Sequence, residues 1–483
     1  MILHVNNVQP DRTARACSVV STLIALAGEG KLPAQVLDNL NVHLDWVQYK
    51  TNFREAVSVR RATSGNELLP WIEVGIDLRQ VHDDTLKEEF VRALNGGASD
   101  SAGSQERVYF ETFKPLRSSI IWDFNRLFWQ HLPLWEKAVG HGFEKALPTG
   151  QSDANHPAAV KDSVADFWTL LKDMDNQKQL PAEVFVLEIG VGTGQRAALW
   201  LDCFRDLDRE RGTQYYPRIR FLLADYSISI LDAAQKTLRE HRELASFLAV
   251  DALDPFKSLS FLRYKVLYIH LTNVYDNLPT DEIVIRDGKL YLVEARAYVS
   301  SAAAAGICEK FSVPPGEFSR TVNRLVDVSP QHLGLSTLEQ NVGFWRAVWD
   351  AVRLEERFVS LEGISDVPLP ANVRPSQLEN FIASAASNQR FQLSTGVLES
   401  FVNTIPLLHP RGHLQVQDIF VTDLADYPKI FRGPGKMDGS VVNWVNGALL
   451  AEVGEQAGYD VHFAPFHYRE GSRTSILYTT LRE

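Results

Sequence analysis

Cysteine is scarce. Three residues, Cys17, Cys203 and Cys308, are spread through 483 positions. They form no CxxC pair, no zinc spacing and no disulfide framework, so no metal site and no disulfide scaffold is expected. Long apolar runs are also missing. None reaches the roughly 18–20 residues that a membrane-spanning helix needs, so no membrane partner is expected. The N-terminus, Met1-Ile2-Leu3-His4-Val5-Asn6-Asn7, lacks a basic stretch leading into an apolar one, which argues against a secretory signal. These absences together point to a reducing cytoplasm. Positive charge is in deficit, with 49 Lys and Arg against 60 Asp and Glu and a net charge of -11. Such a chain gains little from long-range attraction to phosphates, so no nucleic-acid partner is expected. No internal repeat is found.

What is present is ordinary globular material, 45% hydrophobic, in a chain long enough for two or more domains or one domain with large insertions. Residues 1 to 150 read as a mainly helical N-terminal region. Ala14–Ala27 is apolar and rich in alanine, and Val36, Leu37, Leu40, Leu44 and Val47 recur at helical spacing within Pro33–Tyr49. Gly96–Ser104 reads as a flexible linker. From Arg107 to Ala146 aromatic residues are dense, including Trp122, Phe124, Phe128, Trp129 and Trp135. They form either a helical core or docking surface, or an aromatic wall over a substrate pocket.

A helix opens at His156-Pro157, and from there strands and helices alternate as in a parallel α/β sheet. Strands are expected at Val184–Ile189, Ile219–Ala224, Ala245–Val250 and Tyr264–His270, with helices at Gln195–Asp208 and Ser229–Arg242. An excursion of about 281 to 405 interrupts this order. It begins with a hairpin around Asp287-Gly288, a strong two-residue turn signal, and is largely helical after residue 300. The alternation resumes with a strand at His413–Val421, a helix at Val442–Ala457 closed by Gly458, and a final hairpin of Val461–His467 and Thr474–Leu481.

The chemistry concentrates at the strand ends. Val184–Ile189 runs into Gly190-Val191-Gly192-Thr193-Gly194, and a helix follows. Glycines at such a turn allow backbone angles and close approach that a Cβ would block, so a cofactor can lie against bare main chain. The spacing is GxGxG. The dinucleotide fingerprint GxGxxG would need a glycine where Gln195 stands. Glu188 precedes the first glycine by two positions. Asp225 ends the second strand, followed by Tyr226, and Asp251-Ala252 follows the third. Ligands bind outside the carboxyl ends of strands in open α/β sheets. A carboxylate at Asp225 can accept both hydroxyls of a ribose. Alone, either aspartate reads equally well as a helix cap. The fourth strand ends in His270-Leu271-Thr272-Asn273-Val274-Tyr275-Asp276-Asn277-Leu278-Pro279, a dense polar stretch. Asp276 can accept a proton or hold a cation, or simply cap a loop. Tyr275 can bond an acceptor or pack. His270 reads as packed in or beside the sheet rather than as a base.

The Glu-x-Gly-x-Gly-x-Gly pattern resembles motif I of class I methyltransferases. From Leu187 onward the order of parts is similar to the MidA-like methyltransferases, whose mitochondrial members methylate a protein arginine. The glycine loop, Asp276-Asn277-Leu278-Pro279, the Asp287-Gly288 hairpin, and Asn446–Leu450 with Ala457-Gly458-Tyr459 carry the resemblance. It implies a Rossmann-like α/β core of seven strands, residues 155–280 and 406–483, with an antiparallel C-terminal hairpin. Residues 281–405 would form a cap over the acceptor pocket. The cofactor implied is S-adenosylmethionine. Gly190, Gly192 and Gly194 would meet its methionine part, Asp225 its ribose, and Asp251 and Ala252 its adenine, with Glu188 and Tyr226 also among the cofactor-binding residues. Thr272 would reach both cofactor and acceptor. Asn273, Tyr275 and Asp276 would serve catalysis. The chain departs from the family at Val191, where proline is usual, and at Thr272-Asn273, where the family favours Asn-Glu.

Methyl transfer asks mainly for alignment, so no catalytic triad is expected. Three rivals stand beside this reading. A nicotinamide-dependent oxidoreductase fits the glycine spacing and the antiparallel ending poorly. A non-catalytic binding or assembly factor on the same fold would keep the cofactor residues. Among methyltransferases, a small-molecule and a protein acceptor are equally compatible with the sequence. Residues 1–150 would cover the cap or support a homodimer.

Overall fold

The computed structural model describes residues 1–5, 8–32, 34–44, 51–65, 67–96, 106–147, 150–385, 388–429 and 433–482. The chain opens with β1 (Ile2–His4), α1 (Thr13–Gly28), β2 (Leu40–Leu44), β3 (Val57–Ser64), β4 (Glu67–Ile76) and α2 (Asp83–Gly96). This corrects the expectation of a mainly helical N-terminal region. Leu40 and Leu44 fit a helical stripe, but Leu40, Val42 and Leu44 also alternate. All three are buried against Ala16, Val19, Leu23 and Leu26 of α1. Pairing with β4, from Leu40 opposite Ile72 to Leu44 opposite Ile76, decides between the two periods. Val47 and most of the glycine-rich stretch 96–104 lie outside the described residues.

Two aromatic helices follow, α3 (Ile120–Gln130) and α4 (Leu132–Val139), and then α5 (Pro157–Asn176). The alternating segment comprises β5 (Val184–Ile189), α6 (Gln195–Glu210), β6 (Ile219–Asp225), α7 (Ile228–Thr237), β7 (Ala245–Ala249) and β8 (Val266–Thr272). After it come β9 (Glu282–Arg286), β10 (Lys289–Ser300), β11 (Arg353–Ser360), β12 (Gln389–Gln392) and β13 (Leu408–Asp418). A hairpin of β14 (Tyr459–Pro465) and β15 (Ser475–Leu481) ends the described chain.

These strands build two large sheets. Seven are ordered β7-β6-β5-β8-β13-β15-β14, parallel from β7 to β13 and antiparallel thereafter. The central strands β5, β6 and β8 are largely apolar on both faces, as helices on both sides require. Val186, Phe221 and Leu223 pack against Val164, Phe167 and Leu171 of α5 and Trp200 and Phe204 of α6. Leu187, Leu222 and Leu271 face the other way, toward Val397, Phe401 and Leu449. From β5 the chain adds β6 and β7 on one side and returns to β8 on the other. This topological switch leaves a crevice at the carboxyl ends of β5 and β8.

The second sheet joins the N-terminal strands to the excursion, in the order β1-β2-β4-β3-β11-β10-β9-β12. The β9–β10 turn is held by Asp287 at φ 49° and Gly288 at φ 74°, as a tight hairpin demands. Residues 61–63 of β3 pair with 357–359 of β11. Arg54, Arg60 and Arg390 meet Glu356 and Glu73 in the interior. The excursion is thus drawn to the N-terminal half by strand pairing and a buried ionic network. Among the described residues no helix is long and apolar enough to cross a membrane.

Candidate functional site

A cavity of about 860 Å³ opens at the switch point of the seven-stranded sheet. Its floor is the glycine loop after β5. All three glycines have positive φ, at 77°, 54° and 79° for Gly190, Gly192 and Gly194, where side chains are strained. Their reasons differ. A Cβ at Gly190 would overlap Val274 in the segment after β8. One at Gly194 would come within 2.7 Å of Leu238 and 3.1 Å of the Ala234 backbone, so this glycine lets α6 approach α7. At Gly192 a Cβ would meet nothing within 4 Å, because that position faces the open cavity.

Asp225, at the end of β6, is 8% exposed and lines the same cavity. Its Oδ1 accepts from the backbone N–H of Ser227 at 2.9 Å. Burial pushes its pKa up to about 6, against the pull of backbone N–H groups from Ser227, Tyr226 and Gly192. Among the described residues no cationic side chain compensates it. Asp251 is exposed on the cavity rim, where its Oδ1 accepts from Leu253 N at 2.9 Å. Register brings the two together, since Ala249 of β7 pairs with Asp225.

Glu188, Gly190, Gly192, Asp225, Tyr226, Asp251, Ala252, Thr272 and Asn273 therefore line one cavity. Gly194 does not; it serves helix packing. Asn273 adopts φ 52°, a strained value for a residue with a side chain. Its N–H donates to Gln417 O at 3.0 Å, and its carbonyl accepts from Asn277 Nδ2 at 3.2 Å. Thr272 is oriented by His270, whose Nε2 lies 2.7 Å from Thr272 Oγ1. His270 is itself fully buried, and desolvation holds its pKa well below the usual range.

Tyr275 and Asp276 are absent from the cavity wall, which corrects the expectation that they face an acceptor. The segment turns through a short 3-10 helix at Tyr275–Asn277 that buries both side chains. Asp418 Oδ2 accepts from Tyr275 N at 2.9 Å and Asp276 N at 3.2 Å. Asp276 accepts from Asn277 Nδ2 at 2.6 Å. Burial and the facing carboxyl push Asp276 well above its ordinary pKa, and burial pushes Asp418 up to about 7. Two carboxyls so placed hold a turn.

The opposite wall is the aromatic segment. Trp122, Asn125, Arg126 and Trp129 of α3 line the cavity, while Phe124, Phe128 and Trp135 belong to the core. Both readings of that segment hold, and Trp122 belongs to the core and the wall at once. The helix is pinned over the strand ends. Tyr226 Oη donates to Arg126 O at 3.3 Å, Ser227 Oγ to Gln130 O at 3.3 Å, and Asn125 Nδ2 to Asn277 O at 2.8 Å. Residues 142–147 and 150–155 close the side above the glycine loop. Among the described residues, none from 281 to 405 lines the cavity, so the excursion is not its cap. Sequence reasoning also missed Arg117, Arg126 and Arg196 on the wall; only the aromatic density nearby pointed to the first two. Among the described residues no cluster of His, Cys, Asp and Glu could hold a metal ion.

No protein-family model matches the chain, and no curated protein matches it in sequence. Solved structures resemble it remotely. A superfamily member from Burkholderia thailandensis bound to S-adenosyl-homocysteine is 12% identical over 76% of this chain and 88% of its own, with a TM-score of 0.44. An O-methyltransferase family protein from the same organism is 12% identical over 75% and 71%, with a TM-score of 0.26. A SAM-dependent methyltransferase from Aquifex aeolicus is 8% identical over 67% and 97%, with a TM-score of 0.25. At such distances the chemistry of the cavity rests on its own residues.

Proposed function

We propose that the cavity binds S-adenosylmethionine and that the chain transfers its methyl group to an acceptor entering beneath α3. The observation that carries this reading is the meeting of Gly190, Gly192, Asp225 and Asp251 on one cavity at adjacent strand ends. The strand order β7-β6-β5-β8-β13-β15-β14 is compatible with the class I methyltransferase sheet that the sequence resembles. The residues suit the cofactor. Asp225 is a desolvated carboxylate with backbone donors alone, so its oxygens are available to two ribose hydroxyls. Asp251 and Ala252 stand where the adenine would lie, and the open face of Gly192 admits the thioether chain. The volume is typical of a pocket for one cofactor with room beside it.

When bound, S-adenosylmethionine supplies a methyl group already made electrophilic by its sulfonium. The chain's own part is alignment and exclusion of water. Thr272 and Asn273 lie at the end of β8, where an acceptor would be oriented. Trp122 and Trp129 shield the opposite side. The acceptor is a small molecule or a protein side chain.

Incubation with methyl-labelled cofactor, followed by separation of small molecules from protein in a cell extract, tests the reading. It expects S-adenosylhomocysteine to form and label to enter one fraction. A second reading is a non-catalytic binder, favoured by the burial of Tyr275 and Asp276 away from the cavity. Tight binding with no S-adenosylhomocysteine formed in any extract would support that reading over catalysis.

A further inference from the structure

Beneath α3 the β8 side of the cavity is walled by Thr272, Asn273, Val274, Asn277, Leu278 and Pro279, none of which ionises. Most polar atoms there are already bonded within the protein. Asn277 gives Nδ2 to Asn273 O and Asp276 Oδ1 and takes Trp129 Nε1 on Oδ1. Facing it, Trp122 Nε1 donates to Leu116 O at 2.9 Å. Asn125 Nδ2 donates to Asn277 O, and its Oδ1 accepts from Val441 N. Both indoles therefore offer the cavity only ring surface. The guanidinium groups nearby face carboxylates of their own, Arg117 toward Asp281 and Arg126 toward Asp123. What remains is the Thr272 hydroxyl and the Asn273 carboxamide, which has no hydrogen-bond partner among the described residues.

The Thr272 hydroxyl has a fixed polarity. Tyr268 Oη has one hydrogen, and its nearest acceptor is Gln415 Oε1 at 2.5 Å. His270 Nδ1 lies 3.3 Å from that same oxygen and 3.1 Å from Tyr268 Oη. A bare Nδ1 would face lone pairs on both, so the ring's hydrogen sits on Nδ1. Burial, with Arg196 nearby, keeps the ring neutral. Nε2 is then an acceptor, and Thr272 Oγ1, 2.7 Å away, donates to it. The hydroxyl's one hydrogen is spent inward, and it shows the cavity lone pairs alone.

Lone pairs hold a ligand that donates an O–H or N–H. With no ionisable group on that wall to take a proton, a nucleophile must be reactive as it arrives. An aliphatic amine arrives at neutral pH as an ammonium with no lone pair, and a hydroxyl group wants a base. An aromatic amine is neutral there, keeps a lone pair beside its N–H, and brings a flat ring that suits indole faces.

We propose that the acceptor is a neutral aromatic amine, its ring against Trp122 and Trp129 and its N–H donated to Thr272 Oγ1, with His270 as the positioning residue that fixes the hydroxyl. The inference rests on the methyltransferase reading above. In the transfer the nitrogen lone pair forms the new N–C bond to the methyl group and the C–S bonding pair stays with sulfur. The arylammonium so formed gives its proton to water after release.

Titration of the full chain saturated with S-adenosylhomocysteine tests it with three probes: 1-naphthylamine, its N,N-dimethyl derivative, which has no N–H, and 1-naphthol. Wild-type protein should bind 1-naphthylamine roughly two- to tenfold more tightly than the dimethyl derivative, the usual worth of one neutral hydrogen bond. Thr272→Val should remove that preference and Thr272→Ser should keep it. 1-Naphthol should bind like the amine. With methyl-labelled S-adenosylmethionine at neutral pH it should take label about tenfold more slowly, for want of a base. Equal binding of the amine and its dimethyl derivative by the wild type would overturn the proposal, as would a preference that survives in Thr272→Val. So would label entering 1-naphthol as fast as the amine, or no label entering the amine. Uptake of S-adenosylhomocysteine with no binding of any probe would also overturn it and leave the cofactor reading standing. No binding of S-adenosylhomocysteine would remove both.

Discussion

Trp129 Nε1 donates to Asn277 Oδ1 at 3.1 Å. One indole N–H thus ties the helix that roofs the cavity to the turn that follows β8. Asn277 also receives Asn125 Nδ2 on its carbonyl, so the tie is double. Trp129→Phe keeps most of the apolar contact and removes the bond. It should cost about 1 kcal/mol of stability and weaken cofactor binding several-fold by loosening α3. Chemical denaturation and titration of the variant check both effects. Unchanged affinity would mean that α3 closes the cavity without this bond.

Asp225 gives a pH dependence with a definite sign. Its folded pKa is about 6, above the ordinary carboxylate value. Ribose hydroxyls donate to the ionised form, so binding favours loss of the proton. Affinity should be flat above pH about 7 and fall as pH drops through about 6, approaching tenfold per unit. The probe should be 5′-methylthioadenosine, which lacks an amino-acid end that could titrate. In Asp225→Asn the dependence should vanish and affinity should be low at every pH.

The buried carboxyl pair separates a structural role from a catalytic one. Asp418 holds the N–H groups of Tyr275 and Asp276, so Asp418→Ala should destabilise the fold by about 2–4 kcal/mol. Asp276→Asn replaces one carboxyl of a mutually repelling pair with a neutral amide. Its stability should change by about 1 kcal/mol or less, with methyl transfer unaffected. A large fall in turnover at normal cofactor affinity would return Asp276 to the reaction.

Two glycines should respond differently to alanine. Gly194→Ala drives a methyl into Leu238 and the α7 backbone, and should cost stability. Gly192→Ala meets open space, so its stability cost is limited to backbone strain of about 1–2 kcal/mol. Its main effect should be on ligand affinity, because the methyl occupies the cavity. Thermal melts with and without S-adenosylhomocysteine distinguish the two.

Much of the core was legible because its signals are local. The strand at Val184–Ile189, the glycines after it and the carboxylates at Asp225 and Asp251 lie next to one another along the chain. Each sits where an alternating α/β pattern puts a strand end. The Asp287-Gly288 turn was equally plain, since positive φ at two consecutive positions has few sequence solutions.

What was misread depends on partners distant in sequence. Leu40–Leu44 shows helical and alternating spacing at once, and only β4, about 30 residues on, selects the strand. The excursion 281–405 was expected over the cavity because of its place between strands. Its strand β11 pairs with Arg61–Thr63 instead. That pairing leaves the roof to α3, whose Trp122 and Trp129 look, in sequence, like the core residues Phe124 and Phe128. Tyr275 and Asp276 carry reactive groups at a promising strand end. A single 3-10 turn is enough to bury them, and polar density does not reveal which way a turn faces.

The central claim is that one cavity grips an adenosyl sulfonium through the glycine loop and two aspartates. Isothermal titration of the wild-type chain with S-adenosylmethionine, against NAD in the same buffer, tests it most directly. The account predicts saturable binding of S-adenosylmethionine at one site per chain, lost in Asp225→Ala at an unchanged melting temperature, and no heat from NAD. Saturable binding of NAD alone, or S-adenosylmethionine affinity untouched by Asp225→Ala, would contradict it.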